Sequence, residues 1–89
     1  MRFEWGENKR RINLEKYGLD FVDGQCLFDG RPVITAPATS RGEERWLTVG
    51  RVQGRYLSLV WTLRAASIRI ISFRRARVGE ERAHRQLHG

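Results

Sequence analysis

The sequence has little that would staple or anchor a chain from outside its own core. It holds one cysteine, Cys26, so no intramolecular disulfide can form. Its two histidines, His84 and His88, stand near the end with no cysteine close by. Zinc-ligand spacing is missing, and neither a metal nor any other cofactor is expected. No stretch approaches the roughly 20 apolar residues that a membrane span requires. Met1 to Arg11 carries charges where a secretory leader would be apolar. These absences exclude a disulfide scaffold, argue against membrane insertion and secretion, and predict a reducing, cytoplasmic home.

Lysine is scarce as well. Of 17 basic residues only Lys9 and Lys16 are lysines, and with 10 acidic residues the net charge is +7. Solubility alone does not need arginine, whereas the planar guanidinium grips phosphates bidentately and stacks on bases. A polyanion, nucleic acid above all, is the expected partner class. At 89 residues with 40% hydrophobic content, the chain is expected to fold as one domain spanning 1–89, burying roughly 60–65% of the surface its unfolded form exposes.

Read along the chain, Arg2 to Trp5 alternates and suggests an opening strand. Glu7 to Tyr17 is helical in composition and ends at Gly18, a left-handed terminator. Asp20 reads as the N-cap of a short second helix carrying Phe21, Val22, Cys26 and Phe28. Gly30 to Gly42 holds both prolines and reads as a mobile loop, with a brief extended piece at Val33 to Thr35. Glu44–Val52, Arg55–Leu63 and Ser67–Phe73 form a three-stranded antiparallel meander joined at Gln53-Gly54 and Ala65-Ala66. The expected class is therefore α+β: a small antiparallel sheet packed on two N-terminal helices, followed by a C-terminal helix.

Two-residue turns pair Val52 with Arg55 and Arg64 with Ser67, which sets the faces. Trp46, Thr48, Leu57, Leu59, Trp61, Leu63, Ile68 and Ile70 then form the core face. The other face carries Arg51, Tyr56, Ser58, Val60 and Phe73, and at one end Arg45, Thr62 and Arg69 become neighbours, with Glu43 beside Arg64. Three arginines converging there call for a counter-ion. Beyond Phe73 the segment to Leu87 is helix-like, but Ala76, Ala83 and Leu87 are its whole apolar stripe, with Glu80 and His84 four residues apart on its edge. Such a tail is expected to be mobile or lightly docked, or completed by a partner.

Phe3-Glu4-Trp5, then Asn8-Lys9, Asn13, Lys16 and Gly18, then Glu43 to Arg51, and above all Thr62-Leu63-Arg64 with Ile68 to Ala76, form an ordered set that resembles BrnT-type toxins. The resemblance runs from Arg2 to about His84. It implies a RelE-like fold and an endoribonuclease that halts translation as the toxin of a type II toxin–antitoxin pair. It also implies a BrnA-like ribbon-helix-helix antitoxin, an autorepressing complex, and contact with operator DNA only through that complex. Where relatives tend to show an acid followed four residues later by tyrosine, this chain has Glu80 and His84.

Metal-independent RNA cleavage needs cations on the phosphate and groups that move protons from the 2′-OH and to the 5′-oxygen. Arg64 and Arg69 are the candidates for the scissile phosphate. Glu80 and His84, or Glu43 in their place, are the candidates for proton transfer. Arg45, Thr62, Arg74, Arg75 and Lys9 are candidates for binding the RNA backbone, with Tyr56 and Phe73 possible base-stacking platforms. The same arginines would equally serve a non-catalytic basic module that binds nucleic acid or an antitoxin.

Overall fold

The computed structural model describes residues 1–38 and 42–89. The part of the expected loop at 39–41 lies outside the described residues. In chain order the elements are β1 (Arg2–Glu4), α1 (Glu7–Tyr17), α2 (Phe21–Gly24), a 3₁₀ turn (Gln25–Phe28), β2 (Val33–Pro37), β3 (Trp46–Val52), β4 (Arg55–Arg64), β5 (Ser67–Arg75) and α3 (Val78–His88). The strands form one sheet in the order β1-β5-β4-β3-β2.

Both turns of the meander form as two-residue connections, with Val52 opposite Arg55 and Arg64 opposite Ser67. The sheet nevertheless departs from the expected antiparallel one in two ways. It has five strands, because the extended piece after Pro32 lengthens to Pro37 and pairs with β3. It is also mixed, because β1 lies parallel to β5, Arg2 opposite Ser67 and Glu4 opposite Arg69. Pro37 stands on the outer strand, where a missing N–H costs least.

The core face holds Leu57, Leu59, Ile68 and Ile70 against Leu19, Phe21 and Leu27 from the N-terminal segments. Two residues depart from the expected core pattern. Leu63 keeps its face, opposite Ile68, but is 63% exposed near the β4–β5 turn, beyond the helices' cover. Phe73 enters the core, because the β4–β5 register shifts between Val60 and Trp61, leaving Ile71 as an extra residue on β5. Such a bulge inverts the alternation beyond it. Phe73 thus sits opposite Leu59, and Arg74 turns to the opposite face beside Ser58.

Helix α1 has hardly any apolar face, and its one buried residue is Asn13. The Asn13 amide donates to the carbonyls of Leu19 and Phe73, at 2.9 and 2.8 Å, and its oxygen accepts the Phe73 N–H at 3.1 Å. β1 is too short to pair with this part of β5, so a side chain supplies the missing ladder bonds. α2 starts as expected, with the Asp20 carboxylate accepting the Val22 N–H.

The C-terminal segment corrects the expectation of a loose tail. α3 packs across β2 and β3 on the face away from α1, and it buries His84. Val49 and Ser58 beneath it are buried on what was expected to be an open face.

Asn13→Ala leaves three buried backbone groups without partners and is expected to destabilise by about 3 kcal/mol. Denaturant titration measures it. The turn offers the opposite change, since Ala65 and Ala66 adopt φ of 49° and 67°, where alanine is strained. Replacing the pair with Asn-Gly, which suits this turn, is expected to raise Tm by about 4–8 °C.

Candidate functional site

The residues singled out from sequence fall at two ends of the sheet. At the far end, where β4 meets β5, Thr62 is opposite Arg69, and three of the four candidate residues there, Arg45, Thr62 and Arg69, have an internal partner. The Arg69 guanidinium meets the Glu4 carboxylate at 2.7 Å, and that of Arg45 meets Glu43 at 2.9 Å. The Thr62 hydroxyl donates to the Glu44 carbonyl at 2.6 Å. The counter-ions that these arginines demanded are carboxylates of the chain itself. Arg64 is exposed and makes no ion pair among the described residues.

Arg74, Glu80 and His84 lie at the near end. From the row of Thr62 to that of Ser58 is four residues along β4, about 13 Å at strand rise. Arg64 and Arg69 therefore do not share a site with Glu80 and His84.

At the near end the Glu80 carboxylate is saturated. One oxygen accepts from the Ser58 hydroxyl at 2.8 Å, from the Arg74 guanidinium at 2.9 Å and from the Arg77 N–H at 2.9 Å. The other accepts from Arg74 at 3.0 Å. The bond from Arg74 above all, helped by Arg77 and Ser58 against the opposing effect of burial, pulls the Glu80 pKa down to about 2. The group is a fixed anion that ties α3 to β4 and β5.

One turn further along α3, His84 is 5% exposed, with Nε2 3.1 Å from the Pro32 carbonyl. His88 Nε2 lies 2.8 Å from the Val33 carbonyl, and the two rings are 4.8 Å apart. Both imidazoles thus hold the start of β2. The His84 ring also meets the Tyr56 ring edge-on at 5.3 Å.

Tyr56 is the centre of the arrangement. The Arg51 guanidinium lies 5.7 Å from its ring centroid, and that of Arg85 lies 5.3 Å away. Around it opens a cleft of about 350 Å³ lined by Arg51, Arg55, Tyr56, Arg75, Glu81 and Arg85. A recess of about 230 Å³ bordered by Tyr56, His84 and His88 adjoins it. Four guanidiniums face one carboxylate here, and Glu81 pairs with Arg85 at 2.8 Å. Arg51, Arg55 and Arg75 have no ion pair among the described residues. Unlike the far end, this cleft has an uncompensated positive field, and arginines around an aromatic ring match a phosphate carrying a base.

The family model described as "ribonuclease toxin, BrnT, of type II toxin-antitoxin system" matches residues 5–80. The chain belongs to the BrnT family. That membership makes it a ribonuclease toxin with an antitoxin protein as partner, as the resemblance in the sequence implied. Comparison with curated proteins returned no match. No helix among the described residues of this BrnT chain is long and apolar enough to cross a membrane. The matched span holds Arg51, Arg55, Tyr56 and Arg75, and ends at Glu80, so Glu80 and its partners Ser58, Arg74 and Arg77 are included while His84 and Arg85 lie just beyond.

Of the candidates read from sequence, Arg75 lines the cleft and His84 borders it, while Arg74 is held by Glu80. Lys9 is exposed near the start of α1. Arg51, Arg55 and Arg85 were missed as site residues. The Val52–Arg55 turn already placed Arg51 opposite Tyr56, which was a usable signal. Arg85 needed a docked α3.

Glu80 has an ordinary pKa near 4.5 and a folded one of about 2. Its stabilisation is therefore fully present above about pH 4.5 and lost as pH falls toward 2. Glu80→Ala is expected to cost roughly 2–3 kcal/mol at neutral pH. Denaturation series at falling pH should show that deficit shrinking from about pH 4.5, where the unfolded chain's carboxylate takes up its proton, down to about pH 2, where the native one does.

Proposed function

We propose that this BrnT chain is an endoribonuclease whose catalytic site is the arginine cleft around Tyr56, and that it cuts RNA by metal-independent acid–base chemistry. The observation that carries this reading is the gathering of Arg51, Arg55, Arg75 and Arg85 about one aromatic ring with a single carboxylate among them. The 2′-OH attacks the adjacent phosphorus, the bond to the 5′-oxygen breaks, and a 2′,3′-cyclic phosphate remains. Arg51, Arg75 and Arg85 hold the non-bridging oxygens while negative charge builds on them. Being protonated at any working pH, they clamp and do not shuttle protons.

Proton transfer falls to His84 and Tyr56. The contact of His84 Nε2 with a carbonyl makes that nitrogen the proton-bearing one in the neutral ring and leaves Nδ1 to accept. The Tyr56 hydroxyl supplies a proton donor in the same cleft. The position of His84 on α3, four residues after Glu80, supports its standing where relatives carry tyrosine. Among the described residues no three His, Cys, Asp or Glu side chains are grouped to hold a metal, and the charge-bearing groups of the cleft are guanidiniums.

The resemblance supports the rest of the reading: one RelE-like unit in the cytoplasm whose cleavage of RNA inhibits translation. It is neutralised by a BrnA-like ribbon-helix-helix antitoxin, and the complex represses its own operon. The net charge of +7 suits both the RNA and an acidic segment of that partner.

Cleavage of a generic RNA by the purified chain, with single substitutions, tests the assignment. Arg51→Ala, Arg85→Ala and His84→Ala are each expected to slow cleavage by about 10²-fold or more, and Arg64→Ala by less than about threefold. His84→Tyr should retain most activity. The rate should be unchanged in excess chelator. RNA bound without being cut would favour the non-catalytic module instead.

A further inference from the structure

Beyond the cleft, around the end of the sheet, lies a larger recess of about 580 Å³ on the core side. Leu19, Val22 and Phe73 give it apolar surface, and Asp23, Gln53, Arg55 and Arg31, the last already paired with Asp29, bring polar groups to it. Its size and its mix of apolar surface with a few polar groups suit a small planar ligand. Arg55 lines this recess and the arginine cleft alike. A phosphate held in the cleft therefore has this recess one side chain away, within the reach of a single nucleotide.

We propose that the recess is a guanine pocket that sets where this BrnT chain cuts, an inference that rests on the cleft being the phosphate site. A base has two apolar faces and a polar edge, which the recess matches with Leu19 and Val22 on one hand and Asp23 and Gln53 on the other. The carboxylate decides which base. Asp20 is engaged by Arg10 and Asp29 by Arg31, whereas the exposed Asp23 side chain makes no hydrogen bond or ion pair among the described residues. A free carboxylate accepts two hydrogen bonds. Guanine alone of the four bases offers two adjacent donors, N1–H and the N2 amine, on its pairing edge. Adenine, cytosine and uracil each turn at least one lone pair toward the carboxylate there, which it repels. Gln53, at φ 50° in the β3–β4 turn, carries an amide to the same rim.

The test is calorimetric titration of the whole chain with the four nucleoside 3′,5′-bisphosphates. The guanosine compound is expected to bind about tenfold tighter than the other three, as one bidentate contact would give. Val22 is 47% exposed, so Val22→Trp fills the mouth without touching the core, and Asp23→Asn removes the carboxylate. Each is expected to bring the guanosine compound down to the level of the others. Four equal affinities in the parent chain, or a preference that survives both substitutions, would overturn the proposal. Arg85→Ala separates this from the cleft reading, since it should weaken all four compounds alike. If it leaves every affinity unchanged while Val22→Trp still erases the preference, the base pocket stands and the cleft assignment falls.

Discussion

The arrangement of α3 against the sheet, and with it the arginine cleft, depends on one carboxylate. Glu80 accepts from Ser58, twice from Arg74 and once from the Arg77 backbone. It thereby fastens a helix that has too few apolar residues to dock by burial alone. The ion pair is largely shielded, with the Arg74 and Glu80 side chains 14% and 18% exposed. Once α3 is fixed, its next turns are fixed too: His84 against the Pro32 carbonyl and Tyr56, and Arg85 over the Tyr56 ring. Without the lock, Arg51 and Arg75 would remain on the sheet, but Arg85 and His84 would not be held beside them.

That lock depends in turn on an irregularity. Were β5 to alternate regularly from Ser67, Arg74 would share the face of Ile68 and Ile70. The extra residue at Ile71 inverts the pattern, so one backbone feature delivers Phe73 to the core and Arg74 to Glu80. Bulges near functional sites commonly re-aim side chains in this way. The molecule's charges then divide by location. At the far end Glu4 and Glu43 neutralise Arg69 and Arg45, and at the near end arginines outnumber acids.

Much of the meander was legible because its turns are short enough to fix register, and Asp20 and Gly18 mark helix ends by local chemistry. The bulge was less so, although adjacent Ile70 and Ile71 followed by Phe73 is a visible break in alternation. Helix α1 offered no apolar stripe to read, since it is tied down by the single polar side chain of Asn13. The two-ended split of the candidate residues was hidden for a different reason. Glu4 with Arg69 and Ser58 with Glu80 are separated by 65 and 22 positions, and neither contact follows from local pattern. The family resemblance, carried by ordered motifs, reached the class of activity that composition alone left open.

The most direct test of the central claim is to follow the backbone amide resonances of the chain during titration with a short RNA made uncleavable by a 2′-deoxy substitution. The account predicts that the largest shifts gather at Arg51 to Tyr56, Arg75 and His84 to Arg85, with little change at Arg45, Thr62, Arg64 and Arg69. Shifts concentrated on that second group, with the surroundings of Tyr56 silent, would contradict it.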